Sequence, residues 1–223
     1  MQTDSITAPK TKRLVIDAPM RVFHWLFALS FVGAYLSADS ERWRLLHVTM
    51  GYTMVGLTIF RLLYGLVGPK PFRLSALWRK LSVAPSWIRS VMANPWPWNI
   101  NWRQGQNLLM ALLVASMLCM VLPLALSGYA VYNDWGPDFW IDVLSEIHEW
   151  IGELFLIVVL LHIGLIMVLS LLRKSNMAQP MFTGHAQGTG PDLVQSNRLV
   201  LATALFIAVL AFAVWYWIQS YWR

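Results

Sequence analysis

His148-Glu149-Trp150-Ile151-Gly152-Glu153-Leu154-Phe155-Leu156-Ile157-Val158-Val159-Leu160-Leu161-His162 is the stretch whose reading decides the fold. It is too long and too apolar for a strand, and the apolar run continues past His162 to Leu172. A helix is the only economical reading. The two histidines are fourteen residues apart. Fourteen steps of about 100° overshoot whole turns by about 40°, so both imidazoles face one side, roughly 21 Å apart along the axis. Phe155 and Val159 fall on that side between them.

The whole chain shares this character. Its 223 residues are 57% hydrophobic and 13% charged, about half the charged fraction of a water-soluble domain. The mean hydropathy is +0.53. Apolar runs predict five spans, at roughly 21–38, 45–67, 107–131, 146–172 and 199–219. The first follows basic residues as a signal peptide does, but it lacks a small-x-small cleavage site and carries His24. The expected architecture is an all-α membrane protein: a four-helix transmembrane bundle over residues 21–172, plus a fifth C-terminal transmembrane helix over 199–223.

Lysine and arginine set the expected orientation. Lys10, Lys12, Arg13 and Arg21 precede the first span, and the connection from 69 to 105 holds Lys70, Arg73, Arg79, Lys80, Arg89 and Arg103 with no acid. Arg173, Lys174 and Arg198 lie in the connector 173–198. The opposite side holds Arg42, Arg44 and Arg223, with an acidic loop of Asp134, Asp138, Asp142 and Glu146. The positive-inside rule then places segment 1–20 in the cytoplasm and the C-terminus outside. The net charge of +6 therefore follows topology and does not point to nucleic acid. Trp25, Trp43, Trp98, Trp102, Trp135, Trp140, Trp215 and Trp217 fall near span ends, where indole prefers to sit. Leu74, Leu77, Trp78 and Leu81 recur at helical spacing among Arg73, Arg79 and Lys80, which predicts an amphipathic segment on the inner surface that stops near Pro85.

Four histidines lie within apolar helical stretches: His24, His47, His148 and His162. Ionisable groups at membrane depth are costly and are normally functional. Orientation turns position into depth. His47 and His148 are both near the outer surface, whereas His24 and His162 are both near the inner one. Two depth-matched imidazole pairs describe two bis-histidine haem irons stacked across the bilayer. No Cys-x-x-Cys-His occurs and Cys119 stands alone, so covalent c-type haem is excluded and haem b, held by axial ligands and packing, is expected.

Other residues surround these ligands. Gly51 and Gly152 each lie one turn beyond a ligand, either to admit a flat macrocycle or to allow close helix contact. Arg61 is fourteen residues after His47 and shares its face. Its guanidinium is placed to pair with an inner haem propionate or a quinone oxygen, or else to snorkel to the headgroups. Arg42 and Arg44 beside His47 face the same choice between outer propionates and headgroups. His185, in a polar connector with Gly184 and Gly188, reads as an exposed loop residue.

Asp17-Ala18-Pro19-Met20-Arg21-Val22-Phe23-His24-Trp25 resembles the opening of the bacterial cytochrome b561 family, which includes the b-type membrane subunit of nickel-iron hydrogenases. His47-Val48-Thr49-Met50-Gly51-Tyr52, Phe60-Arg61-Leu62-Leu63-Tyr64-Gly65 and Glu146-Ile147-His148-Glu149-Trp150 share the likeness, as does the stretch from Leu161-His162 to Met181-Phe182-Thr183-Gly184. The likeness spans residues 17–184. It implies a four-helix bundle with two b haems on the same four histidines, moving electrons between ubiquinone or menaquinone and a redox partner. An external c-type cytochrome or a hydrogenase subunit is the expected partner. The alternatives are a stand-alone superoxide:quinone oxidoreductase, in likeness to some family members, and, more remotely, a haem-free transporter or assembly protein.

Overall fold

The computed structural model describes residues 12–94 and 96–221. Its long helices are α1 (Ala18–Leu36), α2 (Arg44–Val67), α5 (Trp102–Tyr132), α6 (Asp138–Leu172) and α8 (Leu199–Tyr221). Two short helices, α3 (Leu74–Leu81) and α4 (Ala84–Ala93), fill the connection between α2 and α5, and α7 (Gln179–Thr183) follows α6. The stretch 41–67, with α2 at its core, is long and apolar enough to cross a membrane, as are α5, α6 and α8. Helix α1 is not among these four. Its 19 residues, including Arg21 and His24, rise about 28 Å, close to the thickness of the hydrocarbon layer.

Chain direction and packing define the bundle. Helices α1 and α2 form one antiparallel hairpin and α5 and α6 another, joined where α2 meets α5. Helix α8 lies against α1 and α2 on the outside of the first hairpin. Between the hairpins sits a core of Phe31, Met54, Val121 and Phe155, with Phe155 fully buried. The outward faces carry Leu36, Leu66, Leu122, Leu171 and Val200, each more than half exposed. Apolar exposure on this scale suits acyl chains and not water.

The ends of the bundle differ from the sequence expectation in four places. Helix α6 begins at Asp138 after Pro137, so Asp138 and Asp142 occupy its first two turns and are not loop residues. Acids there favour the helix dipole, which extends the helix beyond its apolar run. The amphipathic helix does stop near Pro85, at Leu81, but a second helix, α4, starts at Ala84 with Pro85 in its first turn, where proline's missing N–H costs nothing. Both ends of the chain core also join in a two-stranded ribbon, β1 (Lys12–Leu14) antiparallel to β2 (His185–Gln187). His185 is therefore a half-buried strand residue, with Nδ1 2.8 Å from the carbonyl of Thr183, and not an exposed loop residue. A three-residue strand beside a glycine turn is too short to leave a periodic signal in sequence.

At the basic end, a buried polar seam ties α1, α2 and α8. Asp17, fully buried, caps α1 by accepting from the Met20 amide at 3.4 Å. Tyr64 of α2 donates to its other oxygen. Arg198, with φ +46° just before α8, donates to the Tyr64 hydroxyl at 3.0 Å and pairs with Asp17 at 3.5 Å. Arg21 adds hydrogen bonds to Phe182 O at 3.0 Å and Asn197 Oδ1 at 3.2 Å.

Candidate haem site

His47 and His148 face one another across the acidic end of the bundle, ring centroids 5.8 Å apart and planes at 68°. Two imidazoles on one metal stand about 6 Å apart, a metal–nitrogen bond of about 2 Å plus half a ring on each side. Each ring is oriented from behind. His47 Nδ1 lies 2.8 Å from the carbonyl of Ala34 on α1. His148 Nδ1 lies 2.9 Å from the carbonyl of Leu124 and 3.3 Å from Ser127 Oγ on α5. An Nδ1–H donated to a carbonyl fixes the tautomer that leaves Nε2 with its lone pair free for iron.

The rings border a cavity of about 480 Å³, within the range of small-molecule and cofactor sites. Gly51 and Gly152 both line it. A Cβ added at Gly51 would meet nothing within 4 Å, and at Gly152 only Leu124 at 4.0 Å. Tyr52 and Tyr129 form part of the wall, and Tyr52 contacts Tyr216 of α8 at 5.5 Å, so the last helix backs this cavity. Asp39, Glu149 and Glu153 also line it, which makes its surroundings acidic.

Arg42 and Arg44 do not line this cavity. Arg44 pairs with Glu41 at 3.7 Å and lies 5.3 Å over the ring of Tyr132, itself a wall residue. Arg42 lies 5.8 Å over Trp43.

The second histidine pair is toward the basic end. The Nδ1 atoms of His24 and His162 are both buried with no hydrogen-bond partner. Phe23, beside His24, packs on Phe60 at 6.3 Å, which brings the turn carrying Arg61 to the level of His24. Arg61 is only 6% exposed, with its NH1 buried and unpartnered. Its guanidinium runs beside Gly65, whose absent Cβ would lie 2.9 Å from NH1, and Leu74 of α3 covers the same spot. The side chain therefore ends inside the protein and not at the headgroups.

A file of aromatic rings, most of them tilted to one another, runs along the bundle. Tyr35, Phe31, Phe155, Phe27, Phe23, Phe60 and Tyr64 make successive contacts of 4.8–6.3 Å along the bundle. Sequence reasoning placed Phe155 between the ligands. It missed Gly128, against whose backbone the His148 ring lies: a Cβ there would sit 2.6 Å from His148 Cε1. It also missed Ser127 and the buried Asp17. The cap signal at Asp17, an acid just before Ala18-Pro19, was available in sequence.

Opposed, carbonyl-oriented imidazoles in a bundle of apolar helices define a class of helical membrane haem proteins. The chain belongs to the prokaryotic cytochrome b561 family, whose model matches residues 15–184. The family binds b-type haem and transfers electrons in the membrane. Comparison with curated proteins and with solved structures finds no match. The residues present fit such a group: a histidine pair at bis-ligation spacing, both Nδ1 atoms engaged, and a cavity bordered by glycine. Among the described residues no group of three or more His, Cys, Asp or Glu side chains is arranged to hold a metal ion.

Proposed function

We propose that this protein is a di-haem b-type cytochrome that relays electrons across a bacterial inner membrane, between quinone and an external redox partner. His47 and His148 hold the haem at the acidic, outer end; His24 and His162 hold the one at the basic, cytoplasmic end. All five long helices span, with α1 completing the four-helix core and α8 bracing it. A bound b haem supplies a one-electron carrier at each end. The chain's own residues orient the ligands through the Ala34 and Leu124 carbonyls, keep water out with the Phe31–Phe155 core, and set local charge through Arg61.

Arg61 would meet a haem propionate or the oxygen of ubiquinone or menaquinone, since an unpaired buried guanidinium calls for an anionic or carbonyl partner. The outer partner is a c-type cytochrome or hydrogenase subunit. Asp39, Glu149 and Glu153 around the outer cavity oppose the approach of an anion, which favours relay over oxidation of superoxide. The observation that carries the proposal is the 5.8 Å opposition of His47 and His148.

The test is haem stoichiometry combined with ligand deletion. A pyridine-haemochrome assay gives two b haems per chain. Redox titration of His47→Ala and His148→Ala shows loss of one component, and of His24→Ala and His162→Ala loss of the other. One haem per chain, or the same component lost from His148→Ala and His24→Ala, overturns the reading.

A further inference from the structure

The connection between α2 and α5 forms a second recess that the haem site does not use. It has a volume of about 500 Å³ and lies between the C-terminal half of α3 and the first turns of α5. Its floor includes Ala76 and Leu108, both buried. Arg79, Lys80 and Arg103 line it together with the amide side chains of Asn101, Gln104 and Asn107. Among the described residues none of the three cationic groups has a hydrogen-bond or ion-pair partner, and no acid occurs anywhere from Lys70 to Leu126. Three like charges around one cavity repel each other until an anion joins them.

The recess is held in shape by fitted contacts. Trp87 of α4 lies on Gly105, where a Cβ would come within 2.4 Å of the indole. Its Nε1 donates to the Asn101 carbonyl at 3.2 Å, and its ring meets Trp102 edge-on at 6.4 Å. Leu74 of α3 is seated on Gly65, where a Cβ would lie 2.7 Å from its Cγ. The flap is thus fixed to α2 and α5, and the cavity does not depend on a loose loop. Trp78, Ile88 and Met92 are 49–82% exposed on the same flap, an apolar surface that a bilayer covers.

We propose that this recess binds the phosphodiester headgroup of an anionic phospholipid. The cations and amides take the phosphate oxygens, and the apolar floor receives the start of the glycerol and acyl region. Free phosphate shares the charge but has nothing to place on Ala76 and Leu108. The position at the membrane ends of α2 and α5 favours a ligand already in the bilayer.

The experiment uses the haem-loaded protein in neutral detergent, titrated with phosphatidylglycerol or phosphatidylcholine of identical chains and read by native mass spectrometry. Phosphatidylglycerol binds at least tenfold more tightly than phosphatidylcholine. The triple variant Arg79→Gln, Lys80→Gln, Arg103→Gln weakens it on the order of 100-fold, about fivefold per charge. A control variant, Lys12→Gln, Arg89→Gln, Lys174→Gln, removes as many exposed charges away from the recess and changes affinity less than about threefold. Equal loss in both variants overturns the site in favour of general surface charge. Displacement of phosphatidylglycerol by millimolar inorganic phosphate overturns the lipid in favour of free phosphate. If circular dichroism or the haem absorbance shows the triple variant misfolded, Arg103→Gln alone must still lower affinity about fivefold; no change overturns the proposal.

Discussion

The ring of Phe155 on α6 stacks on that of Phe31 on α1, centroids 4.8 Å apart and planes 29° from parallel. This contact is the hinge of the core between the two hairpins, and Phe155 has no exposed surface at all. Phe155→Ala should cost about 3–5 kcal/mol, because the flanking helices are held by their own neighbours and cannot collapse into the gap. Phe155→Leu should cost less than about 1.5 kcal/mol. Thermal unfolding in detergent ranks the two; equal losses would show that ring stacking matters more than volume.

Gly128 and Gly51 give opposite forecasts. Gly128→Ala places a methyl 2.6 Å from His148 Cε1, so the ligand ring must leave its position. The outer haem component should fall sharply in redox titration while the inner one persists. Gly51→Ala meets no protein atom, and removing a helical glycine stabilises the bare chain by about 0.5–1 kcal/mol. Haem loss from Gly51→Ala, with the bare chain no less stable, is the mark of a macrocycle against that glycine.

Arg61→Gln should lower the midpoint potential of the haem at the His24–His162 pair. A nearby positive charge favours the reduced form, so its removal favours the oxidised one. A unit charge about 8 Å from a redox centre, at an effective dielectric of about 20, contributes about 2 kcal/mol, on the order of 90 mV for one electron. The same substitution should stabilise the haem-free chain, since Arg61 NH1 is buried without a partner. Redox titration and unfolding of the haem-free protein read the two effects separately.

The acidic end offers a test of partner type. Neutralising Asp134, Asp138 and Asp142 together should slow electron exchange with a basic protein partner, and the rate on the unmodified protein should fall as salt rises. Haem content should not change, because none of the three lines the cavity. Superoxide, an anion, should respond oppositely and react faster with the variant. Stopped-flow measurement of both reactions on one preparation distinguishes them.

What the sequence makes legible follows from one-dimensional geometry. Helix rise and chain direction alone bring His47 level with His148, because depth depends only on position along an axis. Rotation about that axis is not so readable. Gly128 matters because it faces His148 from another helix, and no spacing rule within one helix reports on its neighbour. The Asp17–Tyr64–Arg198 seam was hidden for the same reason, since its members lie on three elements. Composition also misjudged the helix ends. In the first two turns of α6 Asp138 and Asp142 interrupt Phe139, Trp140 and Ile141 where the helix has already begun, and the first turn of α4 depends on a tolerance for Pro85 that a simple breaker rule ignores. The burial of Arg61 depends on α3 folding back over α2, which periodicity in neither helix reveals.

The seam around Asp17 also bears on biosynthesis. Its carboxylate and the Tyr64 hydroxyl emerge early, whereas Arg198 follows Tyr64 by 134 residues. At about 5–20 residues per second, translation leaves that pair waiting roughly 7–27 s for its cation. During this interval α5 and α6 are still being made, and the joint between α1 and α2 is charged on one side only. Docking of α8 is therefore the event that neutralises the joint, and a ribosome stalled before Arg198 leaves a nascent chain whose first helix is capped but not yet locked.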